Sequence, residues 1–165
     1  MRHTGLAALA ALLLFAAGCM NGAPADAAGK LEQGQYFTLK DTDGNSVGLA
    51  DTLRSNKAVL VTFWASWCPP CREELPELIR LQGQFKDRGF RILAVNAGES
   101  KKKVASFLKK NPVNYTVLLD EDMQAVRSFG VTGVPSNYVL APDGTIVKMY
   151  SGFNPDMERE IERLI

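Results

Sequence analysis

Histidine is nearly absent from this chain: the only one among 165 residues is His3, at the extreme N-terminus. Cysteine is also scarce, with three residues, Cys19, Cys68 and Cys71. Since no histidine follows His3, the rest of the chain has no Ser-His-Asp triad and no Cys-His dyad. It also lacks the ligands of a mixed Cys/His zinc site and the histidine that a haem-attachment motif requires. We therefore expect no metal and no cofactor.

An excess of charge of either sign is missing too. The 19 basic residues stand against 18 acidic ones, so the electrostatic footprint of a nucleic-acid-binding protein is absent. The composition, 46% apolar and 22% charged, is that of an ordinary soluble domain, and the length suits one domain with a sizeable core. We expect a monomer with no nucleic-acid partner.

One apolar run stands out, from Leu6 to Ala17, and it consists almost wholly of alanine and leucine. It is too short for a comfortable transmembrane helix but suits the apolar region of an export signal. Its end, Phe15 to Cys19, resembles the bacterial lipoprotein signal, although Ala16 stands where that pattern usually has leucine. The resemblance implies that Cys19 is acylated and tethers an exported protein to a bacterial membrane.

Ordinary secretory cleavage after residues 25–27 is the alternative, and it would leave a soluble exported protein. Under the lipoprotein interpretation the chain divides into a signal peptide at 1–18, a flexible tether at 19–34 and a globular domain at 35–165. In both cases the protein is exported, facing the periplasm or the outer cell surface.

The most informative motif is Trp67-Cys68-Pro69-Pro70-Cys71. It follows the apolar run 58–64 and begins an amphipathic stretch, which predicts a strand that leads into a helix. Two cysteines spaced i and i+3 at that junction lie at the helix N-terminus, where the helix dipole favours a thiolate. The pair is redox-active or a plain structural disulfide, but so small a loop has little stabilising value.

The two prolines of the motif have no backbone N–H, so Cys71 offers the first donor toward the Cys68 sulfur. We expect the helix to begin near Pro70. Few donors mean little thiolate stabilisation, which predicts a reducing couple at roughly −200 to −270 mV.

The rest of the pattern predicts an α/β fold. A buried strand at 57–64, a helix at about 70–87 and a strand at 90–96 form a βαβ unit. The remaining predicted elements are a hairpin around the turn 41–45, a helical turn or loop at 51–56, a helix after Ser100, a strand at 115–119, a helix capped by Asp120, a hairpin around 142–144 and a helix from 154–155.

The segment from Val61 to Pro76 resembles the active-site segment of the thioredoxin superfamily, in particular the exported, membrane-tethered TlpA/ResA type. The resemblance extends over roughly residues 31–165 and includes 95–100, 131–135 and 141–144. It implies a three-layer α/β/α sandwich with a central mixed sheet. An N-terminal β-hairpin precedes the βαβ unit, and a helical and strand insertion separates that unit from the C-terminal hairpin.

The resemblance also implies roles for the motif residues. Cys68, expected to be the more exposed sulfur, is the nucleophile and Cys71 the resolving thiol. Pro135 matches the cis-proline opposite the disulfide, so that Val134 would offer its backbone to the substrate. Trp67 is expected to shield the thiols.

Two glutamates match acidic positions of the subgroup. Glu74, three residues after Cys71, is the candidate acid/base group, because Thr62 stands where thioredoxin has a buried aspartate. The alternative is a solvated helix residue. Glu99 matches a position near the substrate pocket, with a role at the start of a helix as the alternative.

These residues predict an extracytoplasmic protein-disulfide reductase. The resemblance suggests apocytochrome c, or a partner in its maturation, as substrate and a membrane thiol-transfer protein as electron donor. A thioredoxin-fold peroxidase is a competing function, but Ala65 replaces the threonine that peroxiredoxins have three residues before their cysteine. A copper-delivery module is another, but its wider cysteine spacing and downstream histidine are missing.

Overall fold

The computed structural model describes Met1 and residues 29–165. The predicted signal peptide, the acylation site at Cys19 and the alternative cleavage site at 25–27 lie outside the described residues. None of the described helices is long and apolar enough to cross a membrane.

Within residues 29–165, eight strands form one mixed sheet, in the order β1-β8-β7-β4-β5-β6-β2-β3. The central strands β4, β5 and β6 pair in parallel, and the other pairs are antiparallel. The strands are β1 Gly29–Lys30, β2 Thr38–Asp41, β3 Ser46–Gly48, β4 Ala58–Trp64, β5 Phe90–Ala97, β6 Thr116–Asp120, β7 Ser136–Leu140 and β8 Thr145–Ser151.

Five α-helices and two short 3-10 turns accompany the sheet in the described part of the chain. The helices are α1 Leu49–Ser55, α2 Pro69–Phe85, α3 Lys101–Lys110, α4 Gln124–Ser128 and α5 Asp156–Leu164, and the 3-10 turns are Gln33–Gln35 and Lys86–Arg88.

The core has two faces because β4 is buried on both sides. Alternate residues of a strand point to opposite faces, so Val59, Val61 and Phe63 pack with residues of α1 and α4, whereas Ala58 and Leu60 pack with residues of α2 and α5. Burial on both faces explains the continuous apolar run of this strand. The result is the predicted three-layer, thioredoxin-like α/β/α sandwich with its central mixed sheet.

The N-terminal boundary of the domain differs from the prediction. Gly29 and Lys30 pair with Ile146 and Thr145 of β8, and the next residue, Leu31, is buried in the core. The predicted end of the tether at residue 34 is therefore too late, since the sheet already begins at β1. Two edge residues carry no pattern that predicts a strand.

The elements that flank the cysteines lie close to their predicted bounds. Helix α2 begins at Pro69, one residue before the predicted start, and ends at Phe85. The predicted helical turn or loop at 51–56 is the main part of a regular helix, α1. Asp120 caps α4 from the end of β6, where its carboxylate accepts hydrogen bonds from the backbone N–H groups of Gln124 (2.8 Å) and Val126 (2.9 Å).

Candidate active site

The cysteine pair lies where β4 leads into α2. Cys68 is the N-cap residue of α2 and forms a disulfide with Cys71, with the two Cα atoms 5.3 Å apart. The backbone N–H of Cys71 donates a hydrogen bond to the Cys68 sulfur over 3.2 Å, as the two intervening prolines predict. Cys68 and Cys71 are 2% and 1% exposed, so both are buried. Cys68 was expected to be the more exposed of the two, and the observed difference is very small.

The loop before β7 faces the cysteines. The peptide bond between Val134 and Pro135 is cis, as predicted. The carbonyl oxygen of Val134 lies 3.6 Å from the Cys68 sulfur. This arrangement places the backbone of the loop directly beside the sulfur that is expected to attack a substrate.

An open cleft of about 290 Å³ adjoins this loop. Trp67 forms one wall and keeps 62% of its surface exposed. The residues that line the cleft are mostly apolar: Trp67, Ala97, Gly98, Met123, Val126, Val131, Thr132, Gly133 and Val134. Its size and its lining suit an apolar side chain of a polypeptide.

Glu74 lies on α2, one turn after Cys71, and is only 3% exposed. Its two carboxylate oxygens accept hydrogen bonds from the Thr62 hydroxyl (3.4 Å) and the Asn137 amide (3.3 Å). Thr62 and Asn137 are direct partners across β4 and β7, so both side chains lie on the face of the sheet that Glu74 covers. Burial raises the pKa of Glu74 to about 7, because these two neutral donors only partly offset it.

Asn137 was not singled out from the sequence. It is fully buried, and its amide also donates a hydrogen bond to the carbonyl oxygen of Gly152 (3.0 Å). The available signal was an amide side chain directly before the apolar run 138–140 of a predicted strand. Burial raises the pKa of Tyr115, and the negative charge of Glu74 raises it further.

Glu99 follows β5, is 5% exposed and accepts four hydrogen bonds. Its donors are the backbone N–H (2.7 Å) and the hydroxyl (2.7 Å) of Ser66, the amide of Asn96 (2.8 Å) and the ammonium group of Lys103 (2.7 Å). Burial alone would raise the pKa of Glu99, but these bonds outweigh it and lower the pKa to about 2. Glu99 is not among the residues that line the cleft at Trp67.

The fold and the cysteine pair together define a thiol–disulfide oxidoreductase domain with a thioredoxin-like architecture. The AhpC/TSA family model matches residues 32–149, and the chain belongs to that family.

Similar proteins carry names that agree with this class. The chain is 39% identical over 116 residues to the thiol-disulfide oxidoreductase ResA of Bacillus subtilis. This match covers 70% of this chain and 64% of that protein. It is 31% identical over 135 residues to ResA of Halalkalibacterium halodurans, and this match covers 81% of this chain and 76% of that protein.

Among solved structures, a putative thiol:disulfide interchange protein DsbE from Chlorobium tepidum superposes with a TM-score of 0.72 at 32% sequence identity. That match covers 84% of this chain and 94% of the DsbE chain. The described domain is therefore of the ResA/DsbE type.

Proposed function

We propose that this protein reduces disulfide bonds of exported proteins by dithiol–disulfide exchange at Cys68 and Cys71. The observation that carries the proposal is the position of the Cys68 sulfur. It caps α2 and lies 3.6 Å from the Val134 carbonyl oxygen, beside an open, mostly apolar cleft. A substrate chain that pairs with the backbone of Val134 would present its disulfide to this sulfur, with a neighbouring side chain in the cleft.

The reaction starts from the reduced dithiol. The Cys68 thiolate attacks one substrate sulfur, a mixed disulfide forms, and the other substrate sulfur leaves as a thiolate that takes up a proton. Cys71 then loses its proton and attacks the Cys68 sulfur. The Cys68–Cys71 disulfide forms, and the second substrate thiolate is released. Two electrons pass from the protein to the substrate, and a reductant must return them.

Glu74 is the proposed acceptor of the Cys71 proton. Its position one turn along α2 and its pKa of about 7 suit a group that exchanges protons near neutral pH. Thr62, which stands in place of the aspartate of thioredoxin, donates a hydrogen bond to Glu74. In this scheme the acid/base group sits on the helix and the strand only supports it.

The setting of the reaction is proposed from the sequence. The N-terminal signal supports export, with acylated Cys19 as a lipid anchor in a bacterial membrane, or a soluble exported form after cleavage near residue 27. The TlpA/ResA resemblance supports apocytochrome c or a maturation partner as substrate, and a membrane thiol-transfer protein as the source of electrons.

The deciding experiment compares Cys68→Ala and Cys71→Ser in the full chain. Cys68→Ala should abolish the acceleration of insulin reduction above the uncatalysed rate of dithiothreitol alone. In Cys71→Ser, Cys68 should still attack the substrate disulfide, but the substrate should not be released. Mixed disulfides on Cys68 should therefore accumulate, and excess dithiothreitol should cleave them. Mass spectrometry of the adducts formed in the native host would name the substrates.

Two other results would contradict the proposal. Acceleration of insulin reduction above the uncatalysed rate that survives Cys68→Ala would show that another group does the chemistry. Peroxide consumption that depends on Cys68, without any disulfide reduction by the wild type, would favour the peroxidase alternative.

A further inference from the structure

The loop between β4 and α2 depends on one buried carboxylate. Residues Ala65 to Cys68 form a turn in which the backbone N–H of Cys68 donates a hydrogen bond to the carbonyl oxygen of Ala65 (3.2 Å). Ser66 stands at the corner of this turn, and both its backbone N–H and its hydroxyl donate hydrogen bonds to Glu99. One side chain thus holds the corner by two bonds of 2.7 Å each.

Glu99 is itself fixed from two other directions. Asn96, the direct partner of Trp64 across β4 and β5, donates its amide to the same oxygen that accepts from the Ser66 backbone. Lys103, in the first turn of α3, forms an ion pair with the other oxygen of Glu99. The carboxylate therefore connects the end of β5 and the start of α3 to the turn that precedes the nucleophile.

The start of α3 does not need Glu99 as a cap. The backbone N–H of Lys101 donates a hydrogen bond to Glu121 (2.9 Å), and the N–H groups of Lys103 and Val104 bond to the Ser100 carbonyl oxygen. The contacts of Glu99 instead converge on Ser66, two residues before Cys68.

We propose that Glu99 is a positioning residue for disulfide exchange, which fixes the Ala65–Cys68 turn through Ser66 and so holds the Cys68 sulfur against the Val134 carbonyl. The inference rests on the proposed function, because it concerns the same sulfur. It places Glu99 outside the substrate contacts, although a role near the substrate pocket was expected from the sequence. The carboxylate never touches the reacting atoms, and its effect reaches them through the backbone.

A loosened turn should cost reactivity more than it costs substrate binding. Trp67 is the one cleft-lining residue that belongs to this turn, and the other lining residues lie in or next to β5 and α4 and in the loop before β7. The direction of the Cys68 sulfur, in contrast, depends on the turn directly. Displacement of a reacting atom by about an ångström can lower a rate by up to about a hundredfold. We expect Glu99→Gln to lower kcat for insulin reduction about tenfold or more with a smaller change in KM.

The control is a second buried polar clamp, far from the cysteines. Gln82 on α2 is fully buried, accepts a hydrogen bond from the Ile92 N–H (2.8 Å) and donates one to the Phe90 carbonyl oxygen (3.3 Å). Gln82→Met removes these bonds, so it should lower the free energy of unfolding while kcat stays within about twofold of the wild type.

The test measures kcat, KM, the alkylation rate of reduced Cys68 and denaturant unfolding for the full-length wild type, Glu99→Gln, Ser66→Ala, the double variant and Gln82→Met. If Glu99 acts through Ser66, both single variants lose kcat and the double variant loses less than the product of their effects. Ser66→Ala removes only the hydroxyl bond and leaves Glu99 bonded to the Ser66 backbone N–H, Asn96 and Lys103, so its loss of kcat should be smaller than that of Glu99→Gln. It remains informative if Glu99→Gln does not fold.

Each failure has its own signature. A wild type that does not reduce insulin overturns the proposed function. A wild type that reduces insulin, together with a folded Glu99→Gln variant at wild-type kcat and alkylation rate, overturns the positioning role alone. Ser66→Ala at wild-type kcat and alkylation rate overturns the share of that role that the Ser66 hydroxyl carries. Equal losses of kcat in Glu99→Gln and Gln82→Met also overturn the positioning role. General destabilisation of the fold would then be sufficient to explain the loss of kcat in Glu99→Gln.

Discussion

Two buried carboxylates serve the two segments that flank the cysteine pair, and they behave in opposite ways. Glu99 bonds to the turn before the pair, and Glu74 lies on the helix after it. Glu74 and Glu99 are 3% and 5% exposed, so they are almost equally removed from water. Yet the pKa of Glu74 is raised to about 7 and that of Glu99 is lowered to about 2. Burial alone does not decide the charge of a carboxylate.

The difference comes from the donors. Glu74 receives two hydrogen bonds of 3.3 and 3.4 Å from neutral groups, whereas Glu99 receives four of 2.7 to 2.8 Å, one of them from the ammonium group of Lys103. Short bonds to a charged group are about twice as strong as neutral ones. Glu74 can therefore exchange a proton near neutral pH, while Glu99 stays ionised and serves as an anchor.

The largest expected effect is on the pH dependence of stability. The pKa of Glu74 is about 7 in the folded protein against an ordinary 4.5, so between these values the folded state holds a proton that the unfolded state has lost. Stability must then fall as pH rises from about 5 to 7.5, by roughly 3 kcal/mol from this group. Glu74→Gln cannot ionise, so its free energy of unfolding should not show this decline.

Denaturant unfolding of the oxidised protein at pH 5 and pH 8 measures the effect. Glu73→Gln is the matched control, because Glu73 precedes Glu74 on α2 but is exposed. A wild type and a Glu74→Gln variant with parallel pH profiles would mean that the carboxyl is solvated in solution, and the contrast with Glu99 would disappear.

The second prediction has the opposite sign. Because the pKa of Glu99 is lowered to about 2, its stabilising contribution is present above the ordinary value of 4.5 and is lost as pH falls toward 2. Glu99→Gln should lower the free energy of unfolding at pH 7 by about 2 kcal/mol, the range for hydrogen bonds to a charged group. The variant should also lose less stability than the wild type between pH 4.5 and 2.

Unfolding curves at pH 7 and at acidic pH check this prediction with the disulfide intact. A variant that matches the wild type at pH 7 would show that the four hydrogen bonds contribute no net stability. The lowered pKa would then be wrong as well.

The sequence predicted one of these two carboxylates better than the other. Glu74 could be placed beside the cysteines because a helix carries residues i and i+3 on one side, which is a local rule. Its partner Asn137 comes from β7, 63 residues away, and no local pattern joins them. The bonds of Glu99 to Ser66 span 33 residues, so they too required the sheet to be assembled.

The same distinction holds for the fold. The βαβ unit and the hairpins follow from short motifs, the cis bond before Pro135 was implied by the thioredoxin resemblance, and the structure has all of them. Strand β1 was missed because two residues at a sheet edge have no periodicity, and only the pairing with β8 makes them a strand. Contacts that depend on register, such as Thr62 opposite Asn137, become visible only in the assembled sheet.

A smaller effect is expected on the thiols themselves. An ionised Glu74 near the pair disfavours a thiolate, so the charge should keep the cysteine pKa values up, and Glu74→Gln should lower them. Because Glu74 is protonated well below its pKa of about 7, the difference should appear only above that pH. Thiol alkylation rates against pH, with Glu73→Gln as control, decide the matter. Superimposable curves for all three proteins would leave Glu74 without influence on the cysteines.

The smallest effect tests which donor of Glu99 matters most. Lys103→Met removes the cation but keeps the helix propensity of α3 and the bonds from Ser66 and Asn96. The Lys103 side chain is 56% exposed, and such pairs contribute only about 0.5 kcal/mol, so the free energy of unfolding at pH 7 should fall by no more than that. Lys102→Met, which removes an adjacent exposed charge, is the matched control for the loss of a positive charge on α3. A loss in Lys103→Met as large as that in Glu99→Gln would show that the cation, and not the number of short hydrogen bonds, separates Glu99 from Glu74.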